Sequence, residues 1–430
     1  MKRLFTNAKT WENKIVNILV ENGRIISIGK EFPEAESHED LNRLLVLPGM
    51  IDPHVHVRDM RLSHKETWET ASLAALSGGI TTIFDMPNTD PPTIDAEGLS
   101  EKRKFASKSH ANYGFHFGAN KNNFKEIKNA ENIAGLKIFL AHSSSAFEIP
   151  DEDEIRSFFE LGAQLNIPVL VHSECQACVD DHSKEHEHVI TNHNRIRDPI
   201  CAYRSTEMIL RLAEEVGNVL YIAHVSTAPE LDLVRKAKDK GVKVFVEATP
   251  HHLLLNEDVL LDAGHYGKVN PPIRSEADRK ALWEALLDGT VDTLGTDHAP
   301  HTVAEKDFHY DKAPSGFPGL ETAVPMLLTE VLKGLLPMKR FLEVTVLNPA
   351  RIFSVQNRGD MVPGNWADFY VVDDKKNALI DPDLFQSKAK YSPFRGLPVS
   401  CNIESTIVNG NLAYHNTEFS NETGQEVDYS

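Results

Sequence analysis

The most constraining feature of the sequence is a regular alternation of short apolar runs with longer helical patterns between Leu45 and Pro300. The runs are rich in β-branched and aromatic residues, and each stretch between them is long enough for a helix. This alternation is typical of βα units that build a parallel sheet. The eight runs are Leu45–Val57, Gly79–Pro87, Asn112–Ala119, Ala134–Ala141, Ile167–Glu174, Val219–Ser226, Val242–Pro250 and Thr290–Pro300.

Eight βα units predict a closed (β/α)8 barrel, which we place at residues 51–355. An open, doubly wound sheet is the alternative, but no glycine-rich dinucleotide fingerprint follows the first run. The patterns between the runs predict helices at Lys65–Ser77, Asp151–Leu165, Ser205–Glu215, Ala228–Lys240 and Glu276–Asp288.

The two ends of the chain have a different texture from the middle. Strand-like runs flank an Asn-Gly pair at Asn22-Gly23, and a second Asn-Gly pair follows a strand-like run near the C-terminus, at Asn409-Gly410. Asn-Gly between such runs is a strong signal for a tight hairpin. We therefore predict a small β-sandwich domain built from residues 1–50 and 356–430, with a polar, loose tail from about Thr417.

Charge and hydropathy narrow the class of partner. The chain has 430 residues, with 45 basic and 63 acidic side chains and a formal net charge of −18. Such a surface repels phosphate backbones, so we expect no nucleic-acid partner. No apolar run is long enough to span a bilayer and the N-terminus does not resemble a signal peptide, so we expect no membrane association and a cytoplasmic location.

The four cysteines do not suggest a disulfide framework. Cys175 and Cys178 form a CxxC pair, but a zinc site would need a second ligand pair nearby and a redox motif would need a thioredoxin-like context. We expect two ordinary thiols after a strand.

Polar side chains cluster at the C-terminal ends of the apolar runs, which is the active-site face of a barrel. His54 and His56 are two residues apart, so in a strand both imidazoles point to the same side. His172, His224 and Asp297 close the fifth, sixth and eighth runs. Because unpaired buried polar groups are costly, and because five such ligands exceed the needs of one tetrahedral zinc, we predict two metal ions.

Lys137 lies inside the fourth apolar run, where a buried cation is costly. Burial lowers the pKa of a lysine and favours the neutral amine. A neutral amine can react with carbon dioxide to give a carbamate, whose two oxygens suit a bridge between two cations. The alternative is a lysine that extends its charge to the barrel mouth.

The chain resembles the amidohydrolase superfamily and, within it, the dihydroorotases related to the corresponding domain of multifunctional pyrimidine-synthesis proteins. The resemblance covers nearly the whole chain. It is carried by Pro48–Arg58, His64–Glu66, Gly78–Thr82, Met86–Thr89, Gly135–Lys137, Val171–Glu174, Ala223–Ser226, Lys268–Arg274, Gly295–His301, Gly316–Thr322 and Asn348–Ala350.

This resemblance implies a function and a role for each candidate residue. The implied reaction is the reversible hydrolysis of (S)-dihydroorotate to N-carbamoyl-L-aspartate in pyrimidine synthesis, with a small-molecule substrate and a homodimer as the expected partners. The implied ligands are His54, His56 and Asp297 for one Zn²⁺, His172 and His224 for the second, and a bridging carbamylated Lys137. Asp297 would also carry the proton. Arg58, Asn88 and His301 would bind the substrate carboxylate, and Asn270, Ser315 and Gly316 would position the ring.

Arg58 indicates a substrate with a carboxylate group, because its planar guanidinium can bind a carboxylate through two parallel hydrogen bonds. Its alternative role is a salt bridge to Asp59. The sequence departs from the resemblance at Asp59-Met60-Arg61 and at Ser315-Gly316. Related cyclic amidases, allantoinase or dihydropyrimidinase-like, are the alternative within enzymes, and a metal-free scaffold protein is the alternative of another class.

Overall fold

A computed structural model of the chain describes residues 1–121, 123–142 and 147–429. Its centre is an eight-stranded parallel sheet in which each strand pairs with the next one along the chain. A parallel bridge between Val55 and His298 joins the two edges, so the sheet is a nearly closed barrel. The barrel strands, first to eighth, are Met50–Val55, Ile80–Asp85, Asn112–Gly118, Gly135–Phe139, Val169–His172, Leu220–Ile222, Val244–Ala248 and Thr293–Leu294.

The barrel confirms the predicted fold class, and each of the eight apolar runs contains one barrel strand. Alternate residues of the strands face the interior, where Ile51, Phe84, Leu170 and Tyr221 pack together. The intervening residues face the surrounding helices. The first run is divided, because Leu45–Pro48 joins a different sheet before Met50–Val55 enters the barrel.

The helices follow the strands and cover the barrel. Several begin at a side-chain cap, such as the reciprocal caps of Thr67, Asp151 and Thr227, which satisfy free amides of the first turn. The α-helices are Trp68–Ser77, Ala96–Ala106, Phe124–Asn129, Glu152–Leu165, Gln176–Glu185, His193–Ile196, Pro199–Val216, Ala228–Asp239, Pro250–Leu254, Val259–Ala263, Glu276–Asp288, Val303–Lys306, Ala323–Leu332, Met338–Leu342 and Asn348–Ile352, with a π-helical turn at Glu343–Leu347.

The chain ends form a separate nine-stranded sheet, as predicted. Its N-terminal and C-terminal parts meet where Leu45–Pro48 pairs antiparallel with Phe369–Asp373. Asn22-Gly23 and Asn409-Gly410 are two of its hairpin turns, and all four residues have positive φ values, from 50° to 81°. The strands are Lys2–Lys9, Ile15–Glu21, Arg24–Gly29, Ser37–Asp40, Leu45–Pro48, Phe369–Asp373, Asn402–Val408, Asn411–His415 and Glu418–Phe419, and a separate pair joins Ala378–Leu379 to Pro398–Val399.

The predicted loose tail is wrong. The chain from Glu418 onward crosses the N-terminal end of the barrel, where Val427 is buried and its amide donates to the carbonyl of Tyr113. The Glu426 carboxylate pairs with Arg103 at 2.9 Å. These partners lie more than 300 residues earlier in the chain, so the polar composition of the segment did not reveal them.

The expectation of two ordinary thiols at Cys175 and Cys178 is also wrong, because Cys178 forms a disulfide with Cys201. Cys175 is a free, partly buried thiol. Among the described residues, no helix has the length and apolar character to cross a bilayer.

Candidate active site

One cavity at the C-terminal end of the barrel strands brings together almost all of the predicted site residues. Strand ends carry the metal-ligand candidates and loops carry the substrate-binding candidates. The lining residues are His54, His56, Arg58, Asn88, Lys137, Phe139, His172, His224, Val269, Asn270, Asp297, Ala299, Ser315 and Gly316. His301 lies beside this lining, with its Nε2 3.2 Å from Nη2 of Arg58.

The first cluster of donors is formed by His54, His56 and Asp297. The Nε2 atoms of the two histidines lie 3.3 and 3.1 Å from Oδ1 of Asp297. Each histidine donates from Nδ1, His54 to Glu247 at 2.7 Å and His56 to Asn88 at 2.6 Å. Since burial lowers the pKa of both imidazoles, each Nε2 carries a lone pair that faces a carboxylate oxygen. A cation between the three groups would relieve this repulsion, so the donor set fits a metal ion.

The second cluster is formed by His172 and His224, which lie on adjacent barrel strands. Nδ1 of His172 lies 3.0 Å from Nε2 of His224. Nε2 of His172 donates to Glu174 at 2.8 Å, which leaves Nδ1 as a lone-pair donor towards the cavity. The rings of His54 and His224 are 5.2 Å apart, so the two clusters are neighbours.

Lys137 lies in the same cavity as both clusters. Its side chain is fully buried, and Nζ has no hydrogen-bond partner among the described residues. Burial lowers the pKa of Lys137, while the Glu247 and Asp297 carboxylates oppose this effect. An orphaned buried amine beside two clusters of metal-ligating side chains fits a group that is modified or that completes a metal centre.

Arg58 supplies positive charge at the other side of the cavity. Its guanidinium is only 3% exposed, and the described residues offer it no ion pair. Its neighbours are the carbonyl of Pro300, which accepts from Nε at 3.4 Å, and the His301 ring. The alternative salt bridge to Asp59 is absent from this part of the structure. The Asp59 carboxylate instead accepts from the amides of Met60 and Trp68.

The departure at Asp59-Met60-Arg61 is therefore accommodated locally. Asp59 ties the loop to the first turn of the following helix, and the exposed Arg61 pairs with Asp90 at 3.2 Å. Asp59 and Arg58 both have positive φ, 42° and 68°, as do His224 at 37° and Asp297 at 49°. Non-glycine residues held in this conformation concentrate at functional sites, where the surrounding structure fixes them.

Asn88 faces both the histidines and Arg58. Its Oδ1 accepts from His56, while its Nδ2 is buried and has no partner among the described residues. The amide group thus orients a metal-ligand candidate with one atom and offers a free donor to the cavity with the other.

The ring-positioning candidates lie on two loops that are bonded to each other. Oγ of Ser315 donates to Oδ1 of Asn270 at 3.0 Å, and the Gly316 amide donates to the carbonyl of Lys268 at 2.8 Å. Gly316 has a φ of 124°, and a Cβ there would lie 2.5 Å from the carbonyl oxygen of Ala299. Only glycine fits this position, and nothing in the structure explains the departure at Ser315.

Two buried lysines hold these loops from behind, and the sequence analysis missed both. Nζ of Lys306 donates to the carbonyls of Pro314 and Gly316, both at 2.9 Å, and that of Lys268 donates to the carbonyls of Tyr310 and Ala313. Both lysines bind main-chain carbonyls, which residues of any type supply. The sequence therefore gave no signal for these contacts.

Glu247 and Glu174 were also missed. Glu247 is fully buried and its Oε1 accepts from His54 and from the amide of His224, while Oε2 accepts from the Tyr221 hydroxyl. Glu174 bonds His172 and forms a 2.6 Å ion pair with Arg197. Glu247 lies inside the seventh apolar run, the same signal that identified Lys137, and Glu174 ends the fifth run.

The remaining histidines divide into several groups. The polar stretch after the fifth barrel strand, with His182, His186, His188 and His193, has the composition of a solvated segment, but His193 is buried between Tyr310 and the carbonyl of Val269. His252 holds the carbonyls of Pro271 and Pro272, next to Asn270. His251 packs against Phe317.

The barrel carries a buried group of His54, His56 and Asp297 that could hold a metal ion, and the sequence comparison places the chain among hydrolases. A family model described as "Amidohydrolase family" matches residues 45–413, and this chain belongs to that family. Curated relatives named dihydroorotase extend over nearly its whole length. The relative from Methanosphaera stadtmanae is 35% identical, over 94% of this chain and 95% of its own, and that from Halobacterium salinarum is 35% identical over 92% of each.

Solved structures of enzymes with other names have the same fold. The L-hydantoinase (dihydropyrimidinase) from Arthrobacter aurescens superposes with a TM-score of 0.95 at 31% identity and 99% coverage of both chains. The D-hydantoinase (dihydropyrimidinase) from Thermus sp. has a TM-score of 0.90 at 27% identity, with 98% of this chain and 97% of its own covered. The chain is therefore a hydrolase that acts on cyclic amides.

Proposed function

We propose that the chain is a dihydroorotase, which reversibly hydrolyses (S)-dihydroorotate to N-carbamoyl-L-aspartate. The observation that carries this substrate is Arg58, a buried guanidinium in the cavity with no ion-pair partner among the described residues. A buried guanidinium without a direct ion-pair partner is costly, and a substrate carboxylate would supply that partner. Hydantoins and dihydropyrimidines lack this carboxylate, whereas dihydroorotate has it. The names of the curated relatives support the same substrate.

We further propose a binuclear centre at the two donor clusters, with zinc as the ion. His54, His56 and Asp297 would hold one Zn²⁺, and His172 and His224 the other, because imidazole and carboxylate donors suit zinc. When bound, such ions supply Lewis acidity and a lowered pKa for the attacking water.

Lys137 would bridge the two ions as a carbamate. Its neutral amine attacks carbon dioxide, a C–N bond forms, and one proton leaves to solvent. Burial favours the neutral amine that this reaction needs, because it lowers the pKa of Lys137. The unpartnered Nζ inside the cavity supports this assignment.

The remaining residues bind and orient the substrate and move one proton. Arg58 and Nδ2 of Asn88 would bind the carboxylate, with His301 beside them. Asn270, Ser315 and Gly316 would border the ring. Asp297 accepts a proton from the attacking water and delivers it to the ring nitrogen as the amide C–N bond breaks. In the reverse direction Asp297 takes the proton from that nitrogen, the nitrogen forms the C–N bond to the carboxyl carbon, and the departing oxygen takes the proton from Asp297 and leaves as water.

Turnover of five compounds tests this proposal. Dihydroorotate, allantoin, a hydantoin and dihydrouracil are assayed with zinc and bicarbonate supplied, and N-carbamoyl-aspartate is assayed for ring closure. We expect dihydroorotate and N-carbamoyl-aspartate to be turned over far faster than the other three compounds. Preference for allantoin, the hydantoin or dihydrouracil would overturn the substrate assignment in favour of a related cyclic amidase.

Two arginine variants sharpen the test. Arg58→Met should lower kcat/KM for dihydroorotate by about 100-fold, since hydrogen bonds to a charged group contribute roughly 1.5–3 kcal/mol each. Arg61→Met is the matched control, because Arg61 lies three residues away, is exposed and pairs with Asp90. An equal loss in both variants would contradict the role of Arg58.

The metal-free scaffold is the candidate of another class, and purified protein without bound metal or activity would support it. We also propose residues 51–355 as the hydrolase barrel, with residues 1–50 and 356–430 as the appended domain. A homodimer and a cytoplasmic location stay predictions.

A further inference from the structure

Three of the four cysteines lie together outside the catalytic cavity. Cys175 and Cys178 lie at the start of the helix Gln176–Glu185, and Cys201 lies in the first turn of Pro199–Val216. Cys178 and Cys201 form a disulfide with a Cα–Cα distance of 5.4 Å, and Cys175 packs against the same buried cluster. The Cys175 amide donates to the Cys201 carbonyl at 2.9 Å, which ties the two segments together.

A histidine completes this cluster. His182 lies four residues after Cys178, so both side chains project from the same face of the helix. A ring nitrogen of His182 and the sulfurs of Cys178 and Cys201 all lie within 4.8 Å of one another. The two sulfurs are buried and the imidazole is partly exposed, so solvent reaches the cluster from the histidine side. Two thiolates and one imidazole are a donor set that zinc prefers.

We propose that Cys178, His182 and Cys201 form a second metal site, for one zinc-class divalent cation, that alternates with the disulfide. A dithiol reduces the disulfide with two electrons and two protons, and the dithiol itself becomes a disulfide. The cation then displaces the two thiol protons and binds both thiolates and the imidazole. The three protein ligands leave a fourth position of the tetrahedron, on the side of the partly exposed imidazole.

This site is independent of the proposed catalytic centre. The cavity donors are imidazole, carboxylate and amine groups, and its lining contains no sulfur. A signal from a metal–sulfur bond therefore reports only the cysteine cluster, whatever the catalytic cavity contains.

Cobalt titration of the full chain tests the proposal. The protein is reduced with dithiothreitol, freed of the reagent under anaerobic conditions and titrated with Co²⁺. We expect a thiolate-to-cobalt charge-transfer band in the near ultraviolet whose final amplitude corresponds to one thiolate-bound cobalt per chain, whatever cobalt the catalytic cavity also binds, and which disappears when Zn²⁺ is added. The oxidised protein should give no such band. Absence of the band from the reduced protein would overturn the site and leave the pair as a disulfide only.

Substitutions assign the ligands. Cys178→Ser and Cys201→Ser should each abolish the charge-transfer band. His182→Ala should weaken cobalt binding at the cysteine cluster and change the visible spectrum. Cys401→Ser and His188→Gln are matched controls, because Cys401 is a buried thiol elsewhere and His188 instead bonds Asp311. A band that survives in both Cys178→Ser and Cys201→Ser would contradict the assignment. The reduced and oxidised wild-type proteins test the site even if a variant fails to fold.

Discussion

Oε1 of Glu247 lies 2.7 Å from Nδ1 of His54, although 193 residues separate the two in the chain. The same oxygen accepts from the His224 amide, so one buried carboxylate supports a residue of each donor cluster. Its second oxygen is bonded to the Tyr221 hydroxyl at 2.8 Å. Glu247 thereby fixes the His54 tautomer and directs Nε2 towards Asp297.

Glu247→Gln should weaken metal binding at the first cluster. The glutamine amide is neutral, so the Nδ1–H of His54 loses its charged acceptor and Nε2 becomes a weaker metal ligand. We expect metal affinity to fall about 10- to 100-fold, the usual effect of removing such support. Equilibrium dialysis against zinc measures it, and excess zinc should restore much of kcat. Tyr221→Phe is the milder comparison, because it leaves the bond to His54. Unchanged zinc affinity in Glu247→Gln would contradict this role.

Glu247 also shows how far sequence reasoning reaches. Lys137 was identified because a charged residue inside an apolar run is costly, and Glu247 lies in such a run as well. The predicted ligands converge because strand ends meet at one face of a barrel. The partner of a buried acid depends on which side chain of a distant strand faces it, as with His54. Strand order and the alternation of side chains predict which face of the barrel a residue lies on. They do not predict the contact between Glu247 and His54.

Lys306→Met should raise KM for dihydroorotate about tenfold or more with a smaller change in kcat. The loss of an ammonium that donates to the carbonyls of Pro314 and Gly316 would loosen the loop that borders the substrate ring, and hydrogen bonds to a charged group contribute roughly 1.5–3 kcal/mol. Steady-state kinetics measure both constants. Lys312→Met, in the exposed part of the same loop, is the matched control. A loss confined to kcat would contradict the positioning role.

Asn88→Asp and Asn88→Leu should separate the two functions of this side chain. The aspartate keeps an oxygen for Nδ1 of His56 but places negative charge where the substrate carboxylate is proposed to bind. We expect normal zinc content and at least about a tenfold rise in KM, since a charged hydrogen bond is replaced by repulsion. Asn88→Leu should lose zinc affinity as well. An unchanged KM in Asn88→Asp would remove Asn88 from the carboxylate site.

The stability of the fold should decrease in acid through its buried neutral histidines. Burial lowers the pKa of His193 to about 3 and that of His116 to about 3, from an ordinary value of 6.5. Between pH 6.5 and 3 the unfolded chain therefore binds protons that the folded chain does not. The free energy of unfolding should therefore decrease as the pH is lowered through that window, by up to about 1.4 kcal/mol per pH unit for each histidine.

Denaturant unfolding at pH 7 and pH 5 measures this dependence. His193→Gln should make it shallower, because the substituted side chain does not titrate. His64→Gln, at an exposed position, should leave it unchanged. The same pH dependence in His193→Gln and the wild-type protein would show that other groups cause the acid instability.

The C-terminal segment marks a limit of prediction for the fold itself. Strand alternation predicted the barrel, and the Asn-Gly pairs predicted two hairpins of the end sheet. The segment around Val427 is polar and short, with a single buried apolar residue between Glu426 and Asp428. Its order depends on Tyr113 and Arg103, far away in the chain, and no local pattern encodes such contacts.

The central claim is that six side chains of the cavity hold two cations, with a carbamate on Lys137 between them. A crystal structure of protein purified with zinc and bicarbonate, with anomalous data at the zinc edge, tests it most directly. We predict one anomalous peak beside His54, His56 and Asp297, a second beside His172 and His224, and density extending from Nζ of Lys137 to both. A cavity without anomalous peaks in such crystals, or an unmodified Lys137 that contacts neither ion, would contradict the account.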